Sequence, residues 1–172
     1  PDALICFGET IQLDANVSGG NNPYDYSWSP TTGLSDPTDN NPDANPTATT
    51  TYTVTVADDN NCPISDSVLV EVNPELTADA GNDTLICFGD TAQLGVSVNG
   101  GTAPFSYSWS PGGSLSSQTT QNPLAFPTST QTYIVTITDA NNCETTDTVT
   151  VNVNPELVAD AGPNDTICFG DD

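Results

Sequence analysis

The chain has 172 residues, 23 of them Asp or Glu and none Lys, Arg or His, for a formal charge of −23. Such a surface repels nucleic acid and anionic membranes, which bind through Lys and Arg. It also excludes a Ser-His-Asp triad, a Schiff base, a phosphate clamp and a Lys-based isopeptide cross-link.

A hexapeptide sets the organisation. ICFGET at Ile5–Thr10 returns as ICFGDT at Ile86–Thr91 and as ICFGDD at Ile167–Asp172, so Cys6, Cys87 and Cys168 recur with a period of 81 residues. Trp28 then falls on Trp109, Tyr52 on Tyr133, Cys62 on Cys143 and Pro74 on Pro155, with no gap. A fixed period is the signature of a repeat array. The division expected is a first repeat at 1–73 lacking its N-terminal strand, a complete repeat at 74–154, and the start of a third at 155–172. Pro1 aligns with Asn82, so the sequence reads as a window on a longer polypeptide.

In the complete repeat, Pro74-Glu75-Leu76 marks the seam between domains, since Pro resists both helix and central strand. Leu76–Ala80 reads as a short first strand ended by Gly81, and Thr84–Phe88 as an edge segment reaching the Gly89-Asp90 turn. Ala92–Val98 alternates Leu94, Val96 and Val98 against polar or small residues, a strand with one buried face. Asn99-Gly100-Gly101 is a turn. Phe105–Ser110 carries Phe105, Tyr107 and Trp109 on one face.

Ser114–Thr130 is rich in Ser, Thr, Gln and Pro, with Leu115, Leu124 and Phe126 as apolar anchors. Gln131–Asp139 presents Tyr133, Val135 and Ile137, then Ala140-Asn141-Asn142 turns into Cys143. Thr146–Asn154 alternates Val149, Val151 and Val153. No stretch has helical periodicity. Short alternating strands separated by Gly, Pro and Asn turns predict an all-β protein of tandem antiparallel β-sandwiches, one per repeat. The inward positions expected are Leu94, Val98, Tyr107, Trp109, Tyr133, Val135, Ile137, Val149 and Val151, with their partners one period earlier.

Asp-Ala-Gly-x-Asp-Thr, Ile-Cys-x-Gly-Asp-Thr, Tyr-Ser-Trp-Ser-Pro and Thr-Tyr-x-Val-Thr-x-x-Asp-x-x-x-Cys follow one another in the complete repeat. The pattern resembles the PKD-like, immunoglobulin-like repeats of large secreted surface proteins of Bacteroidetes-type bacteria, gliding-motility adhesins among them. The resemblance covers the whole chain. It implies an Ig-like fold, an extracellular or cell-surface location, and a structural or adhesive role.

Two cysteines per repeat suggest an oxidising compartment and disulfide staples for a modest core. The pairing expected is Cys6–Cys62 and Cys87–Cys143, with Cys168 left for a further repeat. Zinc is the alternative, but the chain has no CxxC and no His. Asp58, Asp79, Asp83, Asp90, Asp139 and Asp160 sit at or near turns beside the seam, where oxygen ligands would suit calcium. No DxDxDG spacing exists, so solvated turn carboxylates are the competing reading. No other cofactor is indicated.

Asn16, Asn82 and Asn164 begin N-x-S/T triplets. Ser67, Thr84, Thr91, Thr148 and Thr166 fit Asp-Ser/Thr-apolar, the O-glycosylation pattern of the family the chain resembles. Two carboxylates could hydrolyse a glycoside, but nothing marks a pair of them, and a non-enzymatic role is expected. The expected function is a structural module forming the stalk or shaft of an extracellular filament or giant adhesin. Its partners would be neighbouring repeats and other copies, with no membrane insertion in this segment. The alternative is an adhesive domain that binds a glycan or receptor.

Overall fold

A computed structural model describes residues 2–160 and 162. The protein is all-β. In the first repeat the strands are β1 (Ala3–Ile5), β2 (Ile11–Gln12), β3 (Asp25–Ser29), β4 (Asp43–Ala44), β5 (Thr50–Ala57) and β6 (Pro63–Val72). In the second they are β7 (Thr77–Asp79), β8 (Thr84–Ile86), β9 (Ala92–Gln93), β10 (Ser97–Asn99), β11 (Ser106–Ser110), β12 (Leu124–Ala125), β13 (Gln131–Thr138) and β14 (Glu144–Val153).

Each repeat has one four-stranded sheet, ordered β1-β6-β5-β3 in the first and β8-β14-β13-β11 in the second. The opposite layer is made of short pairs: β2 with β4 in the first repeat, β7 with β10 and β9 with β12 in the second. Alternation explains the long strands. Tyr133, Val135 and Ile137 all point inward from β13 and are fully buried, against Trp109 from β11 and Val149 and Val151 from β14. Leu94, Val96, Leu115 and Ala125 close this core from the other layer. Tyr52, Val54, Val56, Trp28 and Val70 build the equivalent core in the first repeat. The layered, two-sheet arrangement is that of tandem Ig-like β-sandwiches.

Four details differ from the sequence-based expectation. First, the sheets are not purely antiparallel, because β1 runs parallel to β6 and β8 parallel to β14. Second, the strand expected at Ala92–Val98 is two. β9 pairs with β12 and β10 with β7, while Leu94 N–H and the Gln93 side chain bond to carbonyls of the 122–123 loop. Third, Val98 and Tyr107 are only partly buried. Fourth, of the three loop anchors only Leu115 is buried. Leu124 and Phe126 face outward, and Pro123 and Ala125 occupy the interior instead. A two-residue strand inside a Ser/Thr/Pro-rich loop is too short for alternation to reveal which side chain turns in.

Both tryptophans anchor a long loop. Trp28 Nε1 donates to Asp39 O at 2.9 Å, and Trp109 Nε1 donates to Thr120 O at the same distance. Tyr52 and Tyr133 hold the start of the same loop, through Thr32 O and Ser114 Oγ. No helix of the described residues is long and apolar enough to cross a membrane.

Candidate functional site at the repeat seam

The strongest concentration of buried polar groups lies where the repeats meet. Asn73 and Asp139 are the buried polar residues of the described chain, at 2% and 4% exposure. Asn73 follows β6, and its N–H donates to Ile5 O at 2.8 Å, continuing the β1–β6 ladder by one step. Its side chain then leaves the first repeat. The amide nitrogen donates to Asp139 Oδ2 and contacts Cys143 Sγ at 3.2 Å. Its oxygen accepts from Thr102 Oγ1 at 2.7 Å and Asn141 Nδ2 at 2.9 Å. Every hydrogen-bonding position of the side-chain amide is therefore filled by the second repeat, as burial requires.

Asp139 occupies the hairpin between β13 and β14. Its carboxylate accepts the N–H groups of Asn141, Cys143 and Thr102, at 2.8, 2.9 and 2.8 Å, besides the Asn73 amide. Burial is the largest single influence on its pKa and pushes it up. The four donors together outweigh that and hold it below the usual carboxylate value. Asn142 completes the turn with φ +64°, a left-handed conformation that Asn tolerates.

Two glycines let the backbones touch. A Cβ on Gly100 would lie 1.7 Å from Glu75 O, and one on Gly101 would lie 2.7 Å from Leu76 Cδ1. Gly101 N–H donates to Pro74 O at 3.3 Å. The turn was legible in the sequence; its contact with the preceding seam was not.

A disulfide, Cys6–Cys143, crosses the same seam with a Cα–Cα distance of 5.6 Å. This corrects the expected pairing within each repeat. Ile5 lies beside Val72 at the far end of β6, whereas Cys62 precedes Pro63 at the near end. A strand of that length separates Cys6 from Cys62 by about 30 Å, and a disulfide needs Cα atoms within about 7 Å. The same holds for Cys87 and Cys143 at opposite ends of β14. Cys62 and Cys87 are exposed and, among the described residues, unpaired. Cys168 lies outside the described residues.

The candidate calcium ligands are not brought together. Asp58 caps the first repeat's own hairpin, accepting from Asn21, Asn60 and Cys62 N–H groups. The Cys62 bond leads in lowering its pKa. Asp79 and Asp160 each accept the N–H two residues on, and Asp83 bonds Thr150 N–H. Asp90 is exposed at its turn. Among the described residues no three His, Cys, Asp or Glu side chains gather to hold a metal ion. Ser67, Thr91, Thr148, Asn16 and Asn82 are exposed, and Thr84 is half-buried in β8. Thr166 and Asn164 lie outside the described residues.

Residues 85–114 match the SprB repeat family, a stretch running from β8 past β11 and shorter than half the chain. No curated protein matches. Among solved structures, the titin I-band fragment I67–I69 is similar at 11% identity over 90% of this chain and 63% of the fragment, TM-score 0.47. The insect immune protein hemolin is similar at 14% identity over 89% of this chain and 45% of its own, TM-score 0.45. The three N-terminal domains of the bacteriophage RB49 highly immunogenic outer capsid protein are similar at 22% identity, over 86% of this chain and 56% of theirs, TM-score 0.41. The chain spans less than two thirds of the length of each.

Proposed function

We propose that the chain is a passive structural module of an extracellular bacterial surface protein, whose repeats join end to end as the stalk or shaft of a filament or giant adhesin. The observation that carries this reading is the seam: a covalent Cys6–Cys143 staple beside a buried Asn73–Asp139 network. A flexible tether needs neither, because a linker of a few exposed residues suffices for one. The disulfide supports an oxidising location, and the match to the SprB repeat, a repeat of cell-surface proteins, points the same way. Repetition itself favours a shaft over a dedicated binding or catalytic site. Exposed Ser67, Thr91 and Thr148 are the positions we assign to surface glycans.

Electron microscopy of a long repeat array tests the proposal. Turns added to the eight- and ten-residue strands of each repeat give an axial rise of roughly 40 Å per repeat. A filament with that spacing is expected. A string of beads with freely varying angles, or saturable binding of a defined glycan by one repeat, would replace the shaft with a tethered or adhesive role.

A further inference from the structure

The Cys6–Cys143 bridge joins the end of one strand to the start of another. β1 runs toward the seam, because its parallel pairing sets Ile5 beside Val72, and Asn73 of the seam follows directly. β14 runs away from the seam. Its Glu144 lies opposite Thr138, next to the seam hairpin, and its Val151 lies opposite Gln131 at the far end. Cys6 is the residue after β1, and Cys143 is the residue before β14. A covalent line therefore runs along β1 to the seam, crosses from Sγ to Sγ, and continues along β14 without doubling back. The backbone from Phe7 to Asn142 hangs from this line as a loop, and β2 to β13 all lie within it.

Such a line is suited to a pull along its length. A β-strand already rises about 3.3 Å per residue, and a fully drawn chain spans at most about 3.6 Å per residue. The ten residues of β14 can therefore gain only about 3 Å, less than the roughly 6.6 Å of a two-residue shift in register. The covalent bonds become taut before β14 can slide past β13 and β8.

Both roots of the loop are tied down where it leaves the line. Cys6 N–H donates to Glu9 Oε2 at 2.8 Å, and Glu9 N–H donates back to Cys6 O at 3.0 Å. Cys143 N–H donates to Asp139 Oδ1 at 2.9 Å, and Cys143 O accepts from Asp139 N–H at 3.0 Å. Without the bridge, the same pull would pass through Pro74 and through both sandwiches. The short register of Ala3–Ile5 on Val70–Val72 would then have to keep the first core from being drawn out.

We propose that Cys6–Cys143 makes β1 and β14 one tension-bearing line that keeps load off both sandwich cores, and that reduction of this one bond lets the chain lengthen. A dithiol supplies the two electrons. Its thiolate attacks the sulfur of half-buried Cys6, and the sulfur of buried Cys143 leaves as a thiolate and takes up a proton. The second sulfur of the dithiol then displaces Cys6 as a thiol and closes the reagent's own disulfide. The device depends on the bridge and the strand directions and goes beyond the shaft reading. A seam that proves pliable in micrographs leaves it standing.

Single-molecule stretching of the full chain, held by peptide tags at its two ends, tests it. Five residues precede Cys6 and 29 follow Cys143, so with the bridge intact no unfolding should add more than about 120 Å. Cys6→Ser should free the loop, whose span of 137 residues adds about 450–490 Å, at a force the intact chain withstands. Dithiothreitol added to the intact chain held at moderate force should yield the same extra length in two separate steps, one per sandwich. This second arm decides the matter even if Cys6→Ser does not fold. An oxidised chain that lengthens past the cap overturns the proposal. So does a Cys6→Ser chain that resists as the intact one does. A single jump on reduction also overturns it, because the cores would then have come apart under load while the bridge held.

Discussion

Asn73 and Asp139 belong to different repeats, yet their side chains are hydrogen-bonded to each other where both are buried. Asn73→Ala removes the amide, leaves Thr102 Oγ1 without its acceptor, and leaves Asn141 Nδ2 with only its 3.2 Å bond to Thr102 Oγ1. A buried group left unsatisfied costs about 1–3 kcal/mol. Asn73→Asp should do worse, by setting a second carboxylate against Asp139. Paired fluorophores on the two repeats should report looser docking in both variants. Unchanged transfer efficiency would remove Asn73 from the seam.

The Asp139 carboxyl carries a definite sign in its pH dependence. Its folded pKa lies below the unfolded one. Its hydrogen bonds therefore contribute fully above the unfolded value, near 3.9, and are lost as pH falls through the folded value. Asp139→Asn abolishes that titration and aims an NH2 group at N–H donors, so it should destabilise the chain at neutral pH. The gap between the two proteins should narrow below about pH 4. A constant gap from neutral pH to pH 3 would contradict the account.

Peptide mapping without reductant should recover Cys6 joined to Cys143, and no Cys6–Cys62 or Cys87–Cys143 peptide. Cys6→Ser should lower stability by roughly 2–5 kcal/mol, since the bridge closes a long loop in the unfolded chain. Both repeat cores should still form, because neither contains a disulfide of its own among the described residues.

A matched pair of glycine substitutions separates backbone strain from seam contact. Gly19 and Gly100 occupy the same place in the two repeats, with φ +82° and +72°. Gly19→Ala meets nothing within 4 Å and should cost only the left-handed conformation, about 1–2 kcal/mol. Gly100→Ala drives its Cβ into Glu75 O and should cost more and loosen the seam. Equal losses in thermal melts would mean that Glu75 gives way without penalty.

Much of this protein was legible in the chain itself. Period-two alternation at Tyr133, Val135 and Ile137 and at Val149 and Val151 dictates the long strands, because in a pleated strand every second side chain shares a face. The 81-residue register relates the two cores to each other residue by residue. Composition alone rules out chemistry that needs a cationic side chain. The cysteine pairing belonged to tertiary structure. It depends on whether the first strand runs parallel or antiparallel to the last, and alternation is blind to strand direction. The parallel choice carries Cys6 to the end of the sandwich that faces the next repeat. Asn73 and Gly100 read locally as a seam residue and a turn, and only the contact between domains turns them into an interface. Contacts between residues as distant as Asn73 and Asp139 leave no local period. The three-dimensional packing of one repeat on the next determines them.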